Sequence, residues 1–94
     1  MFKVTDIIDG NTIEVSPQWK WNDKIGNVVK VLGYPTPDEQ TTPFVKNKLS
    51  TLILNKDIDL KNPTTININN QILAYVYLNG INIASYFPEL KSVV

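Results

Sequence analysis

Carboxylate, amide and lysine side chains gather in two segments of the chain, residues 9–15 (DGNTIEV) and residues 30–39 (KVLGYPTPDE). Carboxylate and amide oxygens bind hard cations such as Ca²⁺, and two neighbouring acids can act as general acid and base. Asp9 and Asn11 are therefore a candidate weak ion site, and Asp38 with the glutamate beside it is a candidate acid/base pair. The simpler alternatives are a turn at the first segment and a solvated turn before a helix at the second.

A second candidate site is the run Trp19-Lys20-Trp21. In an extended strand both indole rings lie on one face, which resembles a platform on which nucleic-acid bases stack beside a phosphate-contacting lysine. Lys30 is a further candidate phosphate contact. The alternative is a hairpin whose tryptophans cover one end of the fold or a partner.

The residue types that are missing exclude most other hydrolytic chemistry. The chain contains no histidine, cysteine or arginine, so catalytic dyads built on histidine, thiolate nucleophiles, zinc sites of the usual spacing and disulfides are excluded. No glycine-rich phosphate loop is present either. Localisation stays undetermined, since residues 2–4 read as a first strand rather than as part of a signal peptide.

Composition indicates one globular domain over residues 1–94. Hydrophobic residues make up 43% of the 94 and charged residues 19%, and nine lysines balance nine acids. Zero net charge disfavours strong non-specific nucleic-acid binding, although it leaves room for a local basic patch. No apolar run approaches the roughly 20 residues of a membrane-spanning helix, so no membrane partner is expected.

Hydrophobic periodicity predicts mainly β structure with one substantial helix. Strands are expected at residues 2–8, 12–16, 28–33, 57–60 and 71–78. A polar excursion is expected at 17–27, and residues 61–70 are expected to form a loop that can include a strand fragment. Turns are expected at Asp9-Gly10, where Asn11 tolerates a positive φ, and at Asn79-Gly80. Tyr75 and Tyr77 share a face of the last strand and are expected in the core or on the barrel surface rather than as ligand contacts.

The helix is predicted over residues 43–54, with Thr42 as N-cap and Pro43 at the first helical position. Val45, Leu49, Leu52 and Ile53 form its apolar stripe, and Asn55 can end it in a left-handed conformation. A short C-terminal helix is expected at 82–87, stopped by Pro88.

This order of elements fits a mainly β (α+β) fold, a five-stranded OB-type Greek-key barrel with its main helix between strands 3 and 4. Residues 9–15 and 30–39, together with residues 71–80 (QILAYVYLNG), resemble a staphylococcal-nuclease-like (thermonuclease) domain. That family reads roughly D-G-D-T-I-x-V, then R-L-x-G-I-D-T-P-E, then Y-G-R-x-L-A-x-V-Y before a D/N-G turn. The resemblance covers residues 3–87 and implies a single SNase-like OB-fold domain, either a whole protein or a fragment of a longer one.

The resemblance places the family's calcium ligands on poor substitutes in this chain. The second aspartate of D-G-D-T falls on Asn11, and the aspartate of D-T-P falls on Pro35, which has no donor side chain. Thr36 keeps the position whose backbone carbonyl faces the metal. Two carboxylates are thereby lost, and the charge that gives calcium its affinity goes with them.

The family's phosphate clamps and general base are replaced as well. The two arginines fall on Lys30 and Gln71, and neither can form the bidentate guanidinium contact that suits a phosphate. The glutamate proposed as general base falls on Asp38, one methylene shorter. Losing one preorganised donor typically costs about 10²–10³ in rate, so efficient catalysis is not expected.

The sequence therefore predicts a degraded nuclease-like barrel, with no intact catalytic residue and no cofactor, that acts as a binding module. The expected partner is single-stranded nucleic acid or a protein. One alternative is a residual calcium-dependent nuclease, a hydrolase of phosphodiester bonds, which alone would need calcium. The other is a structural or oligomerising domain.

Overall fold

The structure, a computed structural model, describes residues 1–90. Five long strands and one α-helix dominate it, and a two-residue strand and two short 3₁₀ helices follow. In chain order the elements are β1 Phe2–Asp9, β2 Thr12–Trp21, β3 Lys24–Val31, α1 Thr42–Ile53, β4 Asp57–Ile66, β5 Gln71–Leu78, β6 Ile81–Asn82, and the 3₁₀ helices Ile83–Tyr86 and Pro88–Leu90.

The five long strands close into a barrel. Their order is β3-β2-β1-β4-β5, and β3 also pairs with β5 in parallel, with Val28 opposite Gln71 and Val31 opposite Ala74. All other pairings between neighbouring strands are antiparallel. This closed five-stranded barrel, with its main helix between strands 3 and 4, confirms the predicted fold class and is consistent with an OB-like fold.

The barrel interior is filled by alternate apolar side chains of the strands, as a period of two requires. On β5 the inward residues are Ile72, Ala74 and Val76, all at most 3% exposed. Ile13 and Val15 on β2 are buried on one face, as predicted. Helix α1 closes the core from outside through Val45, Leu49 and Ile53, with Leu52 packed at the margin.

The second and third strands are longer than predicted, and the polar excursion at 17–27 is a correction. β2 continues to Trp21, β3 begins at Lys24, and a two-residue turn joins them. Asn22 and Asp23 both have positive φ, 50° and 62°, which is the turn that matches the twist of a β-hairpin. Polar composition hid this strand pairing, because the hairpin projects toward solvent.

Strand β4 is also longer than predicted and replaces most of the loop expected at 61–70. It runs to Ile66, and its pairing with β5 shifts register between Lys61 and Thr65. Asn62 has a φ of 52°, and Pro63 cannot donate to the ladder. These two residues form a bulge, which explains why an asparagine- and proline-containing stretch still belongs to a strand.

The helix begins one residue earlier than predicted, because Thr41 rather than Thr42 is the N-cap, without a capping bond from its side chain. Its end is confirmed, since Asn55 has a φ of 64° and donates its backbone N–H to the carbonyl of Val4. The turn at Asn79-Gly80 is confirmed by positive φ at both residues. The short C-terminal helix is a 3₁₀ helix ending at Tyr86.

Candidate functional site

The turn between β1 and β2 packs against the segment that leads into the helix. Asn11 is 3% exposed, and its side-chain amide donates to the hydroxyl of Thr36 at 3.0 Å. Its backbone N–H donates to Asp9 Oδ1 at 3.0 Å. Asn11 is absent from the residues with positive φ, so the expected left-handed conformation there is a correction. The asparagine is held by hydrogen bonds instead.

Tyr34 fastens the same turn from the other side. Its hydroxyl donates to the carbonyl of Gly10 at 2.9 Å, and its ring lies 4.9 Å from that of buried Phe87. Burial, and secondarily the charge of Asp9, raises the pKa of Tyr34 well above its usual range. Pro35, next in the chain, is exposed, and its side chain offers no donor atom. The contacts of the Tyr34 hydroxyl and ring therefore stabilise the fold at the point where this segment meets the β1–β2 turn.

Asp38 is used to start the helix. Its Oδ1 accepts the backbone N–H of Thr41 at 2.8 Å, and its carbonyl accepts from Thr42. Hydrogen bonds from the side chain and then the backbone of Thr41 hold the pKa of Asp38 below its usual value. A carboxylate of lowered pKa that is already hydrogen-bonded is a poor general base at neutral pH. Of the two alternatives for Asp38, an acid/base pair or a solvated turn before the helix, this geometry fits the solvated turn.

Lys30 and Gln71 lie on the outer surface of the β3–β5 seam. Lys30 is paired with Thr12 on one side and with Leu73 on the other. The Gln71 side chain accepts from the amide of Asn67 at 2.8 Å, within the β4–β5 turn. The glutamine is thus engaged with its own turn, two residues along β5 from the row that contains Lys30.

The six positions carried over from the nuclease family are therefore only partly assembled. A hydrogen bond joins Asn11 to Thr36, and Asp38 follows two residues later in the chain. The Gln71 side chain is instead hydrogen-bonded to Asn67 in the β4–β5 turn. Within residues 1–90, no group of three or more acidic, histidine or cysteine side chains is placed to hold a metal ion. What the cluster offers chemically is one neutral amide, one hydroxyl and one hydrogen-bonded carboxylate.

The tryptophan pair is divided between the core and the surface. Trp19 is 2% exposed, its Nε1 donates to the carbonyl of Val28 at 3.0 Å, and its ring covers Gly26, where an added Cβ would come within 2.5 Å of it. Trp21 is half-buried against the core, while Lys20 is exposed. Burial leaves Trp19 no free face for a base, which corrects the expected platform of two stacked rings.

The outer surface of β5 carries an aromatic strip that the structure makes more prominent than the tryptophans. Leu73, Tyr75 and Tyr77 alternate with the buried residues and are half-exposed. Lys61 of β4 is paired with Tyr75, and its Nζ lies 4.6 Å from the ring centre of Tyr77. We call these residues, together with Lys30 beside Leu73, the tyrosine face. Of the two positions expected for the tyrosines, core or barrel surface, the structure shows the barrel surface.

The opposite end of the strands presents exposed aliphatic side chains that sequence reasoning did not single out. Ile68, in the β4–β5 turn, is 99% exposed, and Ile25, in the β2–β3 hairpin, is 52% exposed. Asn70 joins the two turns by donating to the carbonyl of Ile25 at 3.0 Å. We call Ile25 and Ile68 the apolar end. The sequence contains one sign of this surface, because Ile68 stands among asparagines in a turn too short to bury it.

Comparison with known proteins adds no assignment, because no known protein family and no curated protein matches this chain. Among the described residues, no helix is long and apolar enough to cross a membrane.

Proposed function

We propose that this chain is a binding module on a nuclease-like barrel and that it lacks nuclease chemistry. The observation that supports this most is the state of the positions where the thermonuclease family places its catalyst. Asn11 is bonded to Thr36, Asp38 is bonded to Thr41, and Gln71 is bonded to Asn67. These side chains stabilise turns and a helix start, so little is left to bind a metal or activate water.

The ligand that the surface fits best is single-stranded nucleic acid, bound on the tyrosine face. Half-exposed aromatic rings two residues apart on a strand present a surface on which bases can stack, with each base contributing about 1–3 kcal/mol. Lys30 and Lys61 flank the rings and can contact phosphates. Because the net charge of the chain is zero, affinity should be modest, micromolar or weaker.

A second candidate is a protein partner bound at the apolar end. An isoleucine that is 99% exposed has no stabilising role within the barrel, and apolar side chains that lie together on a surface are typical of protein contacts. Ile25 pairs with Lys20 and so lies on the face of the hairpin opposite Trp21, which leaves the two isoleucines to form this contact. A structural or oligomerising domain would use the same surface to bind a second copy.

Binding of labelled oligothymidine, measured by fluorescence anisotropy at low salt, tests the first candidate. We expect saturable binding that Tyr77→Ala weakens several-fold and that Ile68→Ser leaves unchanged. Ile68 is the matched control, because it lies across the β4–β5 turn, nine residues from Tyr77 in the chain and roughly 20 Å from it along the strand. Equal effects of both variants, or no binding at high oligonucleotide concentration, would refute the nucleic-acid proposal.

Loss of catalysis is tested separately, by incubating the protein with single-stranded DNA and millimolar calcium. We expect no cleavage above a buffer control. Turnover that survives repurification and disappears in Asp38→Ala would support the residual nuclease instead. A restored site is the complementary test: Asn11→Asp, Lys30→Arg, Pro35→Asp, Asp38→Glu and Gln71→Arg together should raise activity if the barrel retains the family's geometry.

A further inference from the structure

A cleft of about 370 Å³ opens at the edge of the tyrosine face, where β5 meets the segment after the last turn. Gly33, Tyr75, Asn82, Ala84 and Ser85 line it. Its volume falls at the small end of the range for ligand pockets in proteins. Asn11, Asp38 and Gln71 are not among these lining residues, so the cleft is distinct from the positions that the nuclease resemblance marks.

The floor of the cleft requires small residues. Gly33 has a φ of 113°, and a Cβ added there would lie 2.6 Å from the Cβ of Ala84 and 3.6 Å from Cε1 of Tyr75. A side chain at this position would be strained and would collide with the wall. The Tyr75 ring therefore stands beside backbone and a methyl group, as one flat aromatic wall of an open slot.

The polar groups of the cleft are uncharged. Asn82 Oδ1 accepts the backbone N–H of Ala84 at 3.0 Å, which leaves the Nδ2 amide as a donor. The Ser85 hydroxyl donates to the carbonyl of Asn82 at 2.8 Å, which leaves its oxygen as an acceptor. A fixed donor beside a fixed acceptor suits a planar ligand whose edge carries both kinds of group.

We propose that this cleft holds one unstacked nucleobase of a bound single strand, with the base against the ring of Tyr75 and its edge toward Asn82 and Ser85. Stacking on an aromatic ring with hydrogen bonds to a base edge is the usual way proteins hold a single-stranded base. Among the residues that the structure describes, no acidic or basic side chain lines the cleft, which favours the neutral base over the phosphate. The flanking phosphates would then reach Lys61 on the neighbouring strand. This inference rests on the proposed function, because it names where that ligand enters the barrel.

Nucleoside 5′-monophosphates at millimolar concentration test the cleft without an oligonucleotide. In amide-detected NMR we expect concentration-dependent shifts at Gly33, Tyr75, Asn82, Ala84 and Ser85. Ribose 5-phosphate, which lacks the base, is the control and should leave these signals in place. Equal shifts with ribose 5-phosphate would mean that a sugar or phosphate is bound, and would overturn the assignment to a base.

Two variants separate the cleft from the rest of the tyrosine face. Ser85→Leu fills the slot from an exposed position and should abolish the nucleotide shifts. Tyr75→Ala should weaken oligonucleotide binding about 5- to 150-fold, the range expected for one stacked base, while Tyr75→Phe retains most of it. Ile68→Ser, across the β4–β5 turn from the cleft, should leave the monophosphate shifts intact, and thermal melting confirms that each variant is folded.

The outcomes distinguish the inference from the proposed function. Oligonucleotide binding that is insensitive to Ser85→Leu and Tyr75→Ala would overturn the cleft while leaving the nucleic-acid module standing. Monophosphate shifts without oligonucleotide binding would indicate a cleft for free nucleotides, and would overturn both the module and the assignment of this cleft to a bound strand. Absence of monophosphate shifts at the cleft would overturn the inference, whatever the oligonucleotide does.

Discussion

The indole of Trp19 shows how one buried side chain changes what a surface can do. It fills the end of the barrel beneath the β2–β3 hairpin, with its Nε1 satisfied by the carbonyl of Val28. Only a glycine at position 26 leaves room for the ring. That Trp19 and Trp21 share a face could be predicted from the sequence, but how deeply each ring is buried depends on how far the hairpin extends past the barrel, which the polar residues around the turn obscure.

Replacing Trp19 should therefore cost stability rather than binding. Trp19→Ala removes a 2% exposed ring and should lower the free energy of unfolding by about 3–5 kcal/mol. Trp19→Phe keeps a ring, loses the hydrogen bond to Val28, and should cost less. Urea unfolding followed by circular dichroism measures both, and exposed Lys20→Ala should stay within about 0.5 kcal/mol of the wild type. A wild-type midpoint for Trp19→Ala would contradict this placement.

Tyr34 predicts how stability changes at alkaline pH. Its folded pKa is raised by burial from the usual 10.0, so the folded state resists an ionisation that the unfolded chain undergoes. The stabilisation is complete below pH 10.0 and is lost as pH rises above it. Tyr34→Phe has no hydroxyl to ionise, so its unfolding midpoint should fall less steeply between about pH 9.5 and 11. Parallel curves for the two proteins would show that Tyr34 ionises normally.

Among the elements, helix α1 was the most predictable and the strand ends were the least. The apolar spacing of Val45, Leu49 and Ile53 and the left-handed Asn55 follow from local chemistry, and they are observed. The continuation of β4 through Pro63 was not predictable, because a bulge lets proline occupy a strand only when the neighbouring strand is known. The candidate site shared that difficulty: the partner of Gln71, Asn67, lies across a turn whose shape the residue types leave open.

Two asparagine-to-glycine substitutions, one just after α1 and one inside it, should change the free energy of unfolding in opposite directions. Asn55→Gly should raise the free energy of unfolding by up to about 1 kcal/mol, since glycine adopts the observed φ of 64° without strain. Asn47→Gly, on the exposed face inside the helix, should lower it by a few tenths of a kcal/mol. Thermal melting of both variants checks the pair. Destabilisation by both would show that Asn55 is not in the left-handed conformation.

At the scale of the whole molecule, closure of the barrel and the zero net charge together determine how the proposed single strand would be bound. Pairing of β3 with β5 makes the tyrosine face continuous with Lys30, since Leu73 lies directly opposite that lysine. Zero net charge means that the flanking lysines supply nearly all the attraction to phosphate. The fold class could be predicted from the order of elements, whereas this arrangement of side chains across the seam depends on a parallel register that no local pattern encodes.

Salt dependence should reveal how few phosphates are bound. If Lys30 and Lys61 each neutralise one phosphate, the logarithm of the association constant should fall with the logarithm of salt concentration with a slope of about −1.4. Lys61→Ala should reduce the slope by about 0.7, whereas Lys46→Ala, on the solvent face of α1, should leave it unchanged. A wild-type slope near zero would indicate binding without phosphate contacts, and one steeper than about −4 would indicate a basic surface that this chain does not supply.

The bulge in β4 also bears on how this protein behaves at high concentration. Pairing of β4 with β1 is limited to its first two residues, Asp57 and Ile58, so within residues 1–90 the rest of that edge lies unpaired. An unpaired edge is a template on which a second chain can add a strand and begin aggregation. Here the edge carries charged Lys61, left-handed Asn62 and Pro63 in succession. The charge of Lys61, the bend at Asn62 and the missing N–H of Pro63 therefore disfavour pairing of this edge with another copy of the chain.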